Sequence, residues 1–349
     1  MLAAAEHRQP DRVPVDLSFA PELWASLREH LGLSDAQLWE WTGQDVAGVA
    51  PRFRNAASPK RYADPTIEVT PEGYCLDIFR VPFREVRTQF QTYMELAGRP
   101  PLAACESAAE LDRFPWPTTG LWDFSHIAED LRRQPEKATA EHSRGFFEIS
   151  HFMRGMDNFM ADLAADPDFA SALMDRIAEY LLEKTRRMLE AGGGRYTLFE
   201  YNDDVASQQG LFISPAMWRK YNRPRMARFC ELIHRHGAKV RYHSCGSVRA
   251  ILPDLIEIGV DILNPVQARA AGMDPFELKR EFGKDLAFHG GIDIQELLPR
   301  ATPAEVRAHV RRVIEEVGRD GGYILGGTHT LQADIPVANV VALIETAVH

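Results

Sequence analysis

The sequence predicts an α/β protein, a (β/α)8 TIM barrel with an N-terminal extension. Strand and helix patterns alternate from about residue 145 to the end of the 349-residue chain, as they do when crossover helices join parallel strands. Polar side chains also follow five consecutive predicted strands, and the carboxyl ends of barrel strands form one face. An open doubly wound sheet fits the alternation too, but it brings together only groups near a switch point. The strand ends therefore favour the closed barrel.

The first part of the chain predicts an irregular extension and a hairpin within residues 1–140. Residues 13–19 alternate apolar and polar side chains, which is typical of a strand. Residues 21–33 have the apolar spacing of a helix. The stretch 66–95 indicates strands and turns of a small sheet, and helical spacing returns over 116–134.

The rest of the chain is regular, and we expect a single domain over residues 1–349. A break near Asp166-Pro167 divides the longest helical stretch, and Ser214-Pro215 and Thr302-Pro303 begin two others. The predicted strands cover 145–152, 195–204, 238–246, 260–267, 284–293 and 321–330. The predicted helices cover 156–194, 214–237, 248–259, 274–283, 302–318 and 336–349.

Composition and charge are those of an ordinary globular protein, with 45% apolar and 26% charged residues. The net charge of −10 argues against a general nucleic-acid binder. No run of about 18 apolar residues predicts a membrane helix. The sequence begins without a signal-like segment and contains no CxxC pair, so we expect a cytoplasmic protein with four reduced cysteines. We also expect a monomer or a homodimer with a small-molecule substrate.

The residues that follow the late strands are the candidates for an active site. Successive strands end at Asn202, Asp203 and Asp204, at His243 and Cys245, at Asn264 and Gln267, at His289, Gly290, Gly291 and Asp293, and at Thr328 and His329. A simpler interpretation competes, because loops are polar in general. Asp203-Asp204 fits a solvated turn or a helix cap as well as it fits an active site, and His289 fits a hydrogen-bonded core histidine.

The stretch RYHSCGS (241–247) offers two side chains that bind metals. Residues i and i+2 of a strand point to the same side, so His243 and Cys245 would aim together into the barrel mouth. Zinc accepts both donors, and catalytic zinc sites commonly have three protein ligands and one open position. His329, at the end of the last strand, is the best-placed third ligand, and Glu200 is a weaker fourth.

Two other interpretations of this stretch stay open. His243 and Cys245 are close enough in sequence to act as a nucleophile and its base, although no third residue that would orient the histidine is evident. Cys245 also fits a buried thiol without any chemistry, since free cysteine packs as a small apolar residue.

Long blocks of the C-terminal part resemble the uroporphyrinogen decarboxylase superfamily. They are HSCGSVRAILPDLIEIGVDILNPVQARAAGMDP, FHGGIDIQELLPRATPAEV and GGYILGGTHTLQADIPVANVVAL, and the strand end NDDVASQQGLFISPAMWRKYNRPR is similar to a family stretch of the same kind. The resemblance is strong over residues 145–349 and loose before them. It implies a (β/α)8 barrel with an N-terminal extension.

The superfamily contains decarboxylases without a metal and zinc-dependent methyltransferases that exchange methyl groups with a corrinoid protein. The MRQAGR-type and FSD-type stretches of the decarboxylases do not occur here, whereas residues 11–32 look like the methyltransferase branch. In that branch a His-x-Cys pair and a later Cys bind zinc. His243 and Cys245 match the pair, and alignment on Pro336 puts His329 at the later position.

The resemblance thus implies a zinc-dependent methyltransferase acting with a separate corrinoid protein, since no DxHxxG signature for cobalamin occurs in this chain. Imidazole at His329 in place of a thiolate leaves zinc more positive, which favours a methoxy donor over a thiol. In this interpretation catalytic roles fall to Asp203, Asp204, His289 and Asp293, and substrate contacts to Glu200, Gln209, Asn264 and Gln267.

Two alternatives stay open at this point. A decarboxylase of a porphyrinogen or another carboxylic acid would use Asp203 or Asp204 on pyrrole N–H groups and arginines on the carboxylates. A non-catalytic barrel would bind a tetrapyrrole or a corrinoid without turnover. Bound zinc would distinguish the methyltransferase from both.

Overall fold

Seven parallel strands form the central sheet of the computed structural model, which describes residues 1–54 and 65–348. They are β1 (Val46–Gly48), β2 (Ala138–Arg144), β3 (Leu198–Asn202), β4 (Lys239–His243), β5 (Ile262–Val266), β6 (Ala287–Ile292) and β7 (Tyr323–Gly327). Each strand pairs with the next one in the chain. A doubly wound sheet reverses its strand order at a switch point. The unbroken order from β1 to β7 is instead that of a sheet that curls in one direction.

Residues 14–16, which precede β1 in the chain, lie between the two edge strands of this sheet, β7 and β1. On one side, the N–H of Leu325 in β7 donates to Pro14 O at 2.8 Å, and its carbonyl accepts from the N–H of Asp16 at 2.9 Å. On the other side, the N–H of Asp45, one residue before β1, donates to Val15 O at 2.9 Å. The first strand predicted from the sequence is therefore present only as isolated bridges.

Helices join the strands, and local capping residues begin several of them. Ser214 and Thr302 accept backbone N–H groups of the helices they precede, as predicted, and Asp166 does the same for the longest helix.

Within the described residues, no helix combines the length and apolar composition needed to cross a bilayer. The α-helices are Leu2–Ala5, Pro21–Leu31, Asp35–Trp41, Ala108–Leu111, Ile127–Arg132, Phe146–Arg154, Met156–Ala165, Pro167–Gly192, Pro215–Tyr221, Arg223–Arg235, Leu252–Glu257, Pro275–Phe282, Leu297–Arg300, Pro303–Glu316 and Val337–Val348. The 3-10 turns are Thr119–Leu121 and Arg249–Ile251. His349, the last residue of the predicted closing helix, lies outside the described residues.

Two predictions for the middle of the chain are wrong. The stretch 145–152, predicted as a strand, belongs to the helix Phe146–Arg154, and β2 ends two residues before that helix. Its aromatic and β-branched residues suit a strand, but its buried side chains recur at helical spacing. The helix predicted over 116–134 is limited to Ile127–Arg132, because Trp122–Asp123 pairs with an earlier short strand.

A four-stranded antiparallel sheet occupies the region where the sequence predicts a small sheet. A buried ion pair attaches it to the main sheet, since Nη1 of Arg144 in β2 lies 2.9 Å from Oδ2 of Asp77. The other oxygen of Asp77 accepts the N–H groups of Phe79 and Val81, which shapes the turn. The four strands are Glu68–Val69, Cys75–Leu76, Pro82–Arg87 and Thr92–Leu96. Shorter antiparallel pairs join Arg52–Phe53 to Trp122–Asp123 and Ala206–Ser207 to Gly210–Leu211.

Alternate positions along the strands build the inside of the curled sheet in layers. The lower layer is apolar and consists of Val46, Ala138, Ala140, Leu198, Ile262, Ala287 and Ile324, packed against Ala5. Side chains at i and i+2 share a face of a strand. The positions two residues after Leu198, Ile262 and Ala287 are therefore on the same side, and they carry Glu200, Asn264 and His289. The inner face thus changes from apolar to polar toward the carboxyl ends of the strands.

Candidate active site

Three side chains near the carboxyl ends of β4, β5 and β6 form a chain of hydrogen bonds. Nδ1 of His243 lies 2.6 Å from Oδ1 of Asn264, and Nδ2 of Asn264 lies 2.7 Å from Nδ1 of His289. Nε2 of His289 lies 3.2 Å from the carbonyl of Asp16. Parallel pairing in register brings His243 beside Asn264, so the fold itself sets the first of these contacts.

The amide of Asn264 fixes the protons of both histidines. Its oxygen only accepts, so His243 carries its proton on Nδ1, and its nitrogen only donates, so Nδ1 of His289 is an acceptor. His289 then donates from Nε2 to the carbonyl of Asp16 and is neutral. Burial lowers the pKa of His289, which agrees with a neutral ring. Nε2 of His243 is left with an unshared electron pair.

This free nitrogen of His243 lies in a group of three metal-binding side chains. It is 3.8 Å from Sγ of Cys245 and 3.8 Å from Oδ1 of Asp204. The three ligand atoms all lie within 4.8 Å of one another. The backbone N–H of Cys245 donates to Oδ1 of Asp204 at 2.7 Å and holds the carboxylate in place. Nitrogen, sulfur and oxygen donors therefore converge on one point.

Cys245 carries a protonated thiol in these surroundings. Burial raises its pKa, and the negative charges of Asp204 and Glu148 raise it further. A nucleophilic cysteine needs neighbours that stabilise its thiolate. The surroundings therefore suit a cysteine that loses its proton when a cation binds, rather than the nucleophile of a Cys–His pair.

His329 lines the same cavity as His243 but lies outside the close group of three. Burial lowers the pKa of His329, and the nearby His243 lowers it further. The ring is consequently neutral at pH 7 and keeps an unshared electron pair for a ligand. Asp204, which the sequence suggests as a catalytic residue, completes the group in its place.

A buried ion triplet lies beside the hydrogen-bonded chain. Nη1 of Arg241 is 2.6 Å from Oδ2 of Asp16, and its Nε is 2.7 Å from Oε2 of Glu200. Burial works against the charge on Glu200, but the guanidinium outweighs it and keeps the pKa of this carboxyl low. Two carboxylates thus surround one guanidinium, so the triplet as a whole is negatively charged.

Two cavities adjoin these residues. The smaller has a volume of about 190 Å³ and is lined by the hydrogen-bonded chain and by His329. The larger, of about 490 Å³, extends toward aromatic side chains of the N-terminal extension. Asp16, Ser18 and Arg241 line both cavities, so the two cavities share a wall.

Asp203 and Asp293, predicted to be catalytic, accept hydrogen bonds from the backbone. Asp203 accepts the N–H groups of Phe147 at 3.2 Å and Glu148 at 2.8 Å, and the hydroxyl of Tyr201 at 2.7 Å. Burial raises the pKa of Asp203 to about 7, against the effect of these donors. Asp293 accepts three N–H groups of the turn that follows it. Both carboxyls hold chain turns in place, and a catalytic role for them stays a prediction.

The predicted substrate-binding residues divide into two kinds. Glu200 and Asn264 line the smaller cavity. Gln267 instead accepts a backbone N–H of the loop after Cys245 at 2.6 Å and supports that loop. Gln209 is exposed in a turn between two short strands, outside the lining of both cavities.

Two residues of the site, Asp16 and Arg241, are absent from the sequence-based prediction. Arg241 precedes His243 by two positions and so shares its face of the strand, a signal that the sequence does contain. Asp16 is 225 positions away from Arg241 in the chain. No local pattern distinguishes it from the other polar residues of the extension.

Comparison with known proteins identifies the family and the fold of the chain. The family model for uroporphyrinogen decarboxylase (URO-D) matches residues 145–349. A uroporphyrinogen decarboxylase of Thermus thermophilus is 27% identical over 176 residues, which are 50% of this chain and 46% of that protein. A methylated-thiol–coenzyme M methyltransferase of Methanosarcina mazei is 23% identical over 202 residues, 57% of this chain and 49% of that protein. The chain spans about half the length of the curated relatives it matches.

A solved structure of a methyltransferase from Methanosarcina mazei has the same fold. It superposes with a TM-score of 0.67 over 99% of this chain and 96% of its own, at 17% identity. The part that matches the family model is more than half of the chain and includes Asp204, His243, Cys245 and His329. The chain therefore belongs to the uroporphyrinogen decarboxylase (URO-D) family.

Proposed function

We propose that this chain is a cytoplasmic, zinc-dependent methyltransferase that moves a methyl group between a small substrate and a corrinoid protein. The observation that carries the proposal is the group formed by His243, Cys245 and Asp204 at the carboxyl end of the sheet. Relatives of the chain include decarboxylases and a methyltransferase. A metal-binding group with a cysteine favours the second activity, because the decarboxylases of the superfamily use no metal.

The spacing of this group fits zinc. Tetrahedral zinc with bonds of about 2.0–2.3 Å to nitrogen, oxygen and sulfur separates neighbouring ligand atoms by about 3.4–3.6 Å. The two distances of 3.8 Å from Nε2 of His243, to Cys245 and to Asp204, are close to this value. Zinc accepts mixed nitrogen, sulfur and oxygen donors, whereas magnesium and calcium require oxygen.

The residues of the chain prepare the site before any metal binds. Asn264 keeps Nε2 of His243 free of a proton, and the N–H of Cys245 holds Asp204. We propose that His329, which lines the same cavity as His243, would supply the fourth donor. Zinc bound there would polarise a substrate oxygen as a Lewis acid. The carboxylate of Asp204 carries the same charge as a second thiolate would, but its oxygen is a harder and less electron-donating ligand than sulfur, which would leave the metal a stronger Lewis acid and favours a methoxy donor.

We assign positioning roles to the other predicted catalytic residues. His289 is buried and neutral and orients Asn264 through their hydrogen bond. Asp203 and Asp293 shape the loops that follow β3 and β6. In the proposed transfer, Co(I) of the corrinoid would form the new bond to the methyl carbon, the C–O bond would break with its electron pair on oxygen, and the resulting alkoxide would take its proton from solvent. These groups therefore need not transfer a proton.

We further propose that the sheet closes as a (β/α)8 barrel in which residues 14–16 take the place of an eighth strand. The hydrogen bonds of this segment to β7 and to Asp45 support the proposal. The same closure brings Asp16 to Arg241 and His289, so it also completes the site.

Decarboxylation of a porphyrinogen fits the site less well. Asp203 is only 1% exposed, and its oxygens already accept three hydrogen bonds, so it does not reach pyrrole N–H groups. Among the described residues that line the two cavities, Arg241 is the only arginine or lysine. Its positive charge is already neutralised by ion pairs with Asp16 and Glu200. Neither an arginine nor a lysine of the lining is therefore available to bind the acidic substituents of such a substrate.

Zinc content tests the proposal. Protein equilibrated with zinc and then dialysed should retain about one zinc per chain, measured by mass spectrometry of the metal. Cys245→Ser, His243→Ala and Asp204→Asn should each lose most of it, and His329→Ala should lose less. Cys75→Ser, a half-buried cysteine of the small sheet, is the matched control and should retain full zinc.

Methyl transfer from methoxy compounds to a Co(I) corrinoid protein should follow zinc content across the same variants. Full zinc and full activity in both Cys245→Ser and His243→Ala would contradict the proposal. Transfer that runs only from a methylated corrinoid to a thiol would retain the metal site but reject the methoxy donor.

A further inference from the structure

The larger cavity has a wall of three aromatic rings. The ring centroids of Phe19 and Trp24 are 5.4 Å apart with planes at 60°, and those of Trp24 and Trp39 are 6.2 Å apart at 55°. Nε1 of Trp24 donates to Oδ1 of Asp35 at 2.9 Å, which fixes the middle ring. Trp39 is 43% exposed and lines the cavity, so its ring is accessible to a ligand there.

The tilt of these rings selects the shape of a ligand. A flat aromatic molecule stacks with an offset on the face of one ring or packs edge-on against it. Rings inclined to one another instead enclose a compact, rounded group. The negative faces of aromatic rings also attract cations, and tryptophan does so best.

The charge of the cavity agrees with the aromatic wall. Arg241, which lines the cavity, is already paired with Asp16 and Glu200, so the triplet attracts a cation and not an anion. Arg241 and Asp16 are 11% and 19% exposed, and little solvent weakens the effect of this excess charge. A cation that enters the cavity would balance the excess negative charge of the triplet.

We propose that the larger cavity binds the cationic end of a small substrate, a quaternary ammonium or a similar methylated onium group. Its other end reaches the smaller cavity past Asp16, Ser18 and Arg241, which line both. The inference names the substrate class of the proposed methyltransferase and rests on that function only for the position of the reacting end. Binding of the cation itself depends on neither zinc nor turnover.

Gly48 offers a way to close this cavity without disturbing the fold. It lies at the end of β1 in the cavity wall, and a Cβ atom added there meets no other atom within 4 Å. Its backbone is not in the left-handed region, so larger residues adopt the same conformation without strain. A leucine at this position would grow into the space that the cation needs.

The experiment compares choline with 3,3-dimethylbutan-1-ol, which has the same shape without the charge. Calorimetric titration of the full chain should show choline binding at least about 10-fold more tightly, the equivalent of about 1.4 kcal/mol. Gly48→Leu should abolish choline binding, and Trp39→Leu should weaken it about 10-fold. Phe90→Leu, an exposed aromatic outside both cavities, is the control and should bind as the parent does.

Equal affinity for the two compounds, no binding of choline, or unchanged binding by Gly48→Leu would each overturn the inference. Thermal unfolding of each variant verifies folding, and Trp39→Leu gives an independent answer if Gly48→Leu fails to fold. Loss of the onium preference with zinc and methyl transfer intact would reject only this inference. Choline binding without any zinc site would instead reject the proposed reaction and keep the cation site.

Discussion

At the scale of single residues, Asn264 decides which atom of His243 is free to bind. A histidine ligand needs one nitrogen without a proton, and the partner of the other nitrogen determines which one that is. Asn264 accepts from Nδ1 of His243 and donates to Nδ1 of His289, so one amide sets both rings. The sequence places all three at strand ends but does not show that they touch, because their register depends on strand pairing.

Replacing Asn264 tests this control of the metal ligand. Asn264→Ala removes the acceptor for Nδ1 of His243, and zinc affinity should fall about 10- to 100-fold. Asn264→Asp still accepts from His243 and should retain most of the affinity, although it no longer donates to His289. Competition with a chromogenic chelator measures both values.

Asn202→Ala is the matched control, since Asn202 lines the same cavity. It should bind zinc as the parent protein does. Equal losses in Asn264→Ala and Asn264→Asp would show that the donation to His289, which both variants lack, matters and that the hydrogen bond to His243 does not.

At the scale of elements, the helix Phe146–Arg154 shows where sequence reasoning succeeds and fails. Caps that lie next to their helices, such as Ser214 and Thr302, are visible in the sequence and are confirmed. The donors at the start of Phe146–Arg154 are instead bound by Asp203, which is 55 positions from Glu148. Without a local cap, an apolar stretch rich in aromatic residues is indistinguishable from a strand.

Asp203 should therefore be a structural residue. Asp203→Ala leaves the N–H groups of Phe147 and Glu148 without their acceptor, and we expect a loss of about 2–4 kcal/mol in the free energy of unfolding. Zinc content should be unchanged at a temperature where the variant is folded. Urea unfolding measures the stability loss.

Ser214→Ala provides the comparison, because it removes a cap at a partly exposed helix end and should cost only about 1 kcal/mol. Full stability of Asp203→Ala combined with a loss of activity would reverse this assignment. Asp203 would then be catalytic, as the strand-end pattern in the sequence suggests.

At the scale of the whole molecule, strand order and the N-terminal segment together define the site. The order β1 to β7 without reversal follows from the alternation of strands and helices and is largely predictable. The contribution of Asp16 is not, since it comes from pairing between the two ends of the chain. A local pattern cannot contain a contact across 225 residues, and for the same reason the ion triplet around Arg241 is visible only in the folded protein.

Stability of the folded chain should fall in mild acid because of His151. Burial lowers the pKa of His151 to about 4, with a smaller contribution from the charge of Arg144. The unfolded chain, with the ordinary pKa of about 6.5, binds the proton first. Stability is therefore complete above about pH 6.5 and is lost progressively as the pH falls toward 4.

His151→Phe isolates this contribution, because the ring stays in contact with Phe147 and Phe152 but no longer titrates. Between pH 7 and pH 5, the parent should lose about 2 kcal/mol more of its unfolding free energy than the variant does. His30→Phe, at an exposed position, is the control and should follow the parent. Urea unfolding of the three proteins at both pH values gives the comparison. Parallel losses in the parent and in His151→Phe would mean that His151 is protonated in the fold as readily as in the unfolded chain, and that other groups cause the acid sensitivity.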